Sequence, residues 1–133
     1  MVDRIRAASH ALGVAFQLSD DILDVAAESA QSGKAPGTDL REGVRSLPVL
    51  HALATRAPGD ERLRELLSRD GLTDESLHAE ALGLLRAHPA METAHADVQR
   101  WADIARAEVA GLPDIPARRA FEIMCDFVTE RTS

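Results

Sequence analysis

The stretch "FQLSDDILDVAAESAQSGKAPGTDLREG", residues 16 to 43, puts Asp20, Asp21 and Asp24 into the middle of an otherwise apolar helical pattern and follows them with a glycine-containing loop. At about 100° per residue, Ile5, Leu12, Phe16 and Leu23 share one direction and Val14, Leu18, Ile22 and Val25 form a second stripe beside it. Apolar groups then span more than half the circumference, so the helix is expected to be mostly buried. The remaining wedge holds His10, Gly13, Gln17, Asp20, Asp21 and Asp24, and no Lys or Arg occurs from His10 to Glu28. A solvated face usually mixes signs, because opposite charges one turn apart stabilise a helix by a few tenths of a kcal/mol. Here the carboxylates repel one another.

Two readings account for that cluster. One is an exposed acidic face. The other is a divalent-cation site in which Asp20 and Asp24, one turn apart, act as ligands. Hard oxygen donors without Cys or His favour Mg²⁺, which takes one or two carboxylates and completes its shell with water and phosphates. A calcium-loop reading fails, since "DDILDVAAES" lacks the alternating ligands and central glycine of an EF-hand.

The rest of the chain reads as helix. Its 133 residues suit one domain, residues 1 to 133, able to bury a core. Apolar residues make up 45% and aromatics only 3%, so Ala, Leu and Val dominate and an all-α helical bundle is expected. A net charge of −7 argues against binding nucleic acid through its phosphates. No run of about 18 apolar residues appears, so no membrane span is expected. One cysteine, Cys125, allows no intrachain disulfide, and with no signal-like start the cytoplasm is the default location.

The periodicity predicts helices over residues 3 to 29, in "SLPVLHALATRA" with Ser46 near its cap, in "DERLRELLSR", in "DESLHAEALGLLRAH" capped by Thr73, from about 90 to 110, and in "ARRAFEIMCDFVTER". Between the first two, residues up to about 45 read as loop. The last helix carries Phe121, Met124, Cys125 and Val128 as an apolar stripe.

In "QSGKAPGTD", Gly33 and Gly37 permit a tight turn with exposed N–H groups, and Lys34 adds a point charge suited to phosphate. The spacing is not that of a P-loop. Taken together, LG-x-AFQ-x-x-DD-x-x-D from Leu12 to Asp24, GK-x-x-GTDL-x-EG from Gly33 to Gly43, and Leu47 with Pro48 resemble the C-terminal part of the trans-type polyprenyl diphosphate synthases. The motifs cover about a third of the chain; the downstream helices agree in type and in the closing "FEIMCDFVTER".

That resemblance implies the C-terminal part of the isoprenoid synthase fold. It also implies Mg²⁺-dependent condensation of an allylic diphosphate with isopentenyl diphosphate. Asp20 is the implied direct Mg²⁺ ligand, with Asp21 and Asp24 binding metal directly or through water. Lys34 is implied to contact diphosphate, Asp39 belongs to the same substrate-binding loop, and Phe16 and Gln17 line the cavity by the allylic group. Val44 stands where the family commonly has a second diphosphate-binding lysine, leaving Arg45 as the adjacent cation. The family's first aspartate-rich motif lies upstream of this region, and no second DDxxD is present here. The chain alone is therefore expected to be catalytically incomplete: a portion of a synthase, a homo-oligomer, or a noncatalytic subunit paired with another synthase chain.

The five histidines, at 10, 51, 78, 88 and 95, lack zinc-site spacing and read as surface or packing residues. Cys125 reads as core, and Trp101 as packing.

Overall fold

The computed structural model describes residues 2–27 and 35–132. Among them the elements are α1 (Val2–Ala26), α2 (Thr38–Glu42), α3 (Leu47–Ala54), α4 (Glu61–Leu67), α5 (Glu75–Arg86), α6 (Ala90–Ala110) and α7 (Pro116–Glu130), with no strand. The chain divides into two compact units. One contains residues 1–19 and 95–133, the other residues 20–94.

In the first unit the buried positions of α1 are small: Ala8, Ala11, Ala15 and Ser19. Their spacing of three and four residues keeps them on one face, and the Ser19 hydroxyl is satisfied locally by donating to Phe16 O at 2.7 Å. From α6 come Val98, Ala102, Ala105 and Val109, all essentially inaccessible. Ala8, Val109 and Leu112 cluster, with Ile5 and Phe121 packed against them. Close packing rewards small side chains where two helices approach. A wheel weighted by hydrophobic size overlooks them, and this is where the expected burial pattern fails: Phe16 is 44% exposed, and Val14 and Leu18 are half-buried.

The stripe expected on α7 is only partly covered. Cys125 and Val128 are buried, but Met124 is exposed along with Ile123 and Phe127.

The second unit has a larger aliphatic core, including Ile22, Val25, Leu66 and Leu85. Residues expected to be loop contain α2, a single helical turn too short to leave a periodic signal. It closes on Gly43 at φ 78°, where Val44 N–H donates to Asp39 O at 2.8 Å and Gly43 N–H to Leu40 O at 3.2 Å. That is a Schellman-type end, which needs the left-handed backbone glycine adopts without strain.

One cap residue differs from expectation, and another holds its expected place without the expected bond. Asp74, not Thr73, caps α5, its carboxylate accepting from Leu77 N–H at 3.0 Å. Asp74→Ala should lower stability by about 1 kcal/mol, read from the denaturation midpoint, whereas Thr73→Ala should change it little. Ser46 holds the cap position of α3, yet its hydroxyl makes no cap hydrogen bond; the acceptor comes from α1 instead.

Candidate functional site

That acceptor is Asp21, whose Oδ2 takes the N–H of Leu47 at 3.1 Å, the first residue of α3. One turn further along α1, Asp24 Oδ2 accepts from Asp39 N–H at 3.2 Å, in the first turn of α2. Both carboxylates therefore meet helix N-termini, where unsatisfied N–H groups and the helix dipole favour negative charge. The backbone adds a further tie, Gly37 N–H to Asp24 O at 2.6 Å. Asp24 is buried, while Asp20 and Asp21 are half-buried. The acidic cluster is thus not an ordinary solvated face: the segment after it folds back onto it.

Asp39 is itself buried, and Arg45 and Val44 are exposed. Gly33 and Lys34 lie outside the described residues. Among the described residues, no three His, Cys, Asp or Glu side chains converge as a metal-binding group. Asp20 and Asp24 nevertheless have the donor chemistry Mg²⁺ takes from protein, one or two carboxylates with no soft ligand among them.

In the first unit, Phe16 lines an open apolar groove of about 350 Å³ with Ser9, Leu12, Gly13, Phe121 and Met124. The Arg131 guanidinium lies 4.5 Å over the Phe16 ring and 5.8 Å from the Phe127 ring, a cation–π arrangement that no sequence spacing signals. Gln17 is exposed. His10 meets Trp101 edge to face, with ring centroids 6.1 Å apart.

These motifs have a family match. A family model described as polyprenyl synthetase matches residues 1–85. The chain belongs to the polyprenyl synthetase family. Its sequence is 45% identical over 130 residues to a nonaprenyl diphosphate synthase of Mycobacterium tuberculosis, covering 98% of this chain and 38% of that protein. It is 33% identical over 132 residues to heptaprenyl diphosphate synthase component 2 of Geobacillus stearothermophilus, covering 98% of this chain and 40% of that protein. A crystal structure of geranylgeranyl pyrophosphate synthase from Corynebacterium glutamicum, complexed with calcium and isoprenyl diphosphate, superimposes with a TM-score of 0.90 at 36% identity, over 99% of this chain and 40% of that one. This polyprenyl synthetase sequence thus spans well under half the length of the relatives it matches, and its all-helical fold is theirs. No helix among the described residues is long and apolar enough to cross a membrane.

Of the histidines, His78 and His88 are buried packing residues with defined partners: His78 Nε2 lies 2.8 Å from Gly37 O, and His88 Nε2 lies 3.0 Å from Asp60 Oδ2. Cys125 is buried as expected, and burial pushes its thiol pKa up. A thiol that ionises more easily unfolded than folded favours the fold while it stays protonated; that contribution declines as pH rises past the free thiol's ordinary range. Cys125 should therefore resist an aromatic disulfide reagent in mildly alkaline buffer and react fully once guanidinium is added. Rapid reaction of the folded chain would contradict its burial.

Proposed function

We propose that this chain supplies one wall of a Mg²⁺-dependent prenyltransferase site, in which an allylic diphosphate is condensed with isopentenyl diphosphate. The observation that carries the reading is the acidic cluster of α1, tied at Asp21 and Asp24 to the backbone of the folded-back GTDL and LP segments. Asp20, with Asp24 and Asp21 directly or through water, would hold the metal; Lys34 would contact the diphosphate, with Asp39 in the same substrate-binding loop and Arg45 as the cation beside Val44; Phe16 and Gln17 would line the allylic end. When bound, Mg²⁺ supplies positive charge against the diphosphate as it leaves. The diphosphate departs with the C–O electron pair, the isopentenyl double bond attacks the allylic carbon, and a proton is lost to give the longer chain. Apolar walls would keep water from that electron-poor carbon.

Residues 1 to 133 are read as the C-terminal portion of a synthase domain, since the chain spans 38% of its Mycobacterium relative and one DDxxD cannot form both sides of a clamp. A single cysteine suits a reducing compartment such as the cytoplasm. The test is to mix the purified chain with an allylic diphosphate, isopentenyl diphosphate and Mg²⁺. No elongated product is expected from the chain alone, and product is expected once a chain bearing the family's first aspartate motif is added, disappearing with Asp20→Ala. Turnover by the chain alone would sink the claim of incompleteness, and a stable mixed assembly that never elongates would sink prenyl transfer.

A noncatalytic subunit or helical partner of a full-length synthase is the second reading; Val44 favours it, and the relative named as component 2 supports the existence of a partner chain. Under it, co-expression with a full-length synthase yields a heteromer whose activity survives Asp20→Ala.

A further inference from the structure

α5 grips the chain on both sides of the segment that leaves α1. Arg86 donates from Nε to Val25 O at 2.7 Å and from a terminal nitrogen to Ala27 O at 2.8 Å, meeting carbonyls at the C-terminal end of α1. Two turns earlier on α5, buried His78 places Nε2 2.8 Å from Gly37 O. A carbonyl only accepts, so Nε2 carries the proton. Gly37 passes the constraint on, its own N–H reaching Asp24 O at 2.6 Å while Asp39 N–H reaches the Asp24 carboxylate at 3.2 Å. The fit at Gly37 is close: it sits at φ 77°, and a Cβ there would lie 2.5 Å from His78 Nε2. Neither His78 nor Arg86 belongs to a motif of the aspartate helix or the GTDL loop.

We propose that His78 and Arg86 are positioning residues for Asp24, fixing from α5 the backbone that orients its carboxylate. The inference rests on reading Asp24 as a metal ligand, and two measurements on the purified chain separate the two ideas. Amide hydrogen exchange at Gly37 and Asp39 reports the network itself. Electron paramagnetic resonance with Mn²⁺ and inorganic pyrophosphate reports the metal site. His78→Leu should speed exchange at both amides and weaken Mn²⁺ binding, each about tenfold for a lost buried hydrogen bond. His78→Gln, whose terminal NH₂ can reach the same carbonyl, should restore both. Arg86→Lys, a compact ammonium without the planar fork that spans two carbonyls, should fall between, and with the glutamine variant it carries the test if the leucine variant does not fold. Wild-type exchange and affinity in His78→Leu, with Mn²⁺ lost in Asp24→Asn, would overturn the positioning role alone. No saturable Mn²⁺ binding in the wild type even with a chain bearing the family's first aspartate motif present, or binding that Asp24→Asn leaves unchanged, would overturn the metal reading and this inference with it.

Discussion

Gly43→Ala should be the most damaging small substitution in the second unit, lowering stability by about 3 kcal/mol or more and the melting temperature by roughly 10 °C. Two penalties combine. At φ 78° an alanine pays for a left-handed backbone, about 1 kcal/mol. Its Cβ would also run into the carbonyl of Asp70, with the Gly71 nitrogen close behind. Those obstacles are backbone atoms and cannot rotate aside as a side chain can. Relief would require moving the turn after α4, whose Leu72 N–H donates to Leu40 O at 3.3 Å, and so would disturb α2. Gly59→Ala is the control: its φ of 95° is also left-handed, but nothing lies within 4 Å of the added atom. Only the conformational penalty, about 1 kcal/mol, should appear there. Equal losses at the two positions in chemical denaturation would show that the clash at Asp70 is relieved.

Asp24 and Asp20 should separate structural from functional roles. Asp24→Ala removes a buried acceptor from Asp39 N–H, which should destabilise the fold by about 1–3 kcal/mol and abolish Mg²⁺-dependent diphosphate binding. Asp24→Asn keeps an oxygen able to accept that N–H but not the charge, so stability should largely return while metal binding stays at least about tenfold weaker. Asp20 is half-buried where Asp24 is buried; Asp20→Ala should cost less stability than Asp24→Ala yet weaken metal binding as much as Asp24→Asn. Calorimetric titration with Mg²⁺ and an allylic diphosphate, run beside thermal unfolding, reads both columns. If Asp20→Ala binds like the parent chain, Asp20 is not the direct ligand.

The helices were legible wherever local chemistry marks their ends. Gly111 and Pro113 stop α6, Pro116 opens α7, and the observed limits agree with those marks. Family membership was also legible, because several short motifs stand in a fixed order. Features that depend on partners distant in sequence were not. Asp21 accepts a first-turn N–H of α3 from 26 residues away, and the serine that stands in the cap position as expected gives no hint of it. The alanine face of α1 carries little hydrophobic weight per residue and disappears beside Phe16, which is largely exposed in the folded chain. His78 had no spacing to recommend it, since its role comes from a glycine 41 residues earlier.

The placement of Asp21 and Asp24 against two helix N-termini also bears on the state of the protein before any ligand arrives. Like charges one turn apart oppose folding by a few tenths of a kcal/mol per pair, whereas a carboxylate at a helix N-terminus gains about 0.3–1 kcal/mol. Two such gains, at Asp21 and Asp24, offset part of the repulsion within the cluster. If Asp20 and Asp24 hold Mg²⁺ as proposed, chelation should then empty the site without melting the helix that carries it, the two backbone ties having built the receptor before its cation arrives.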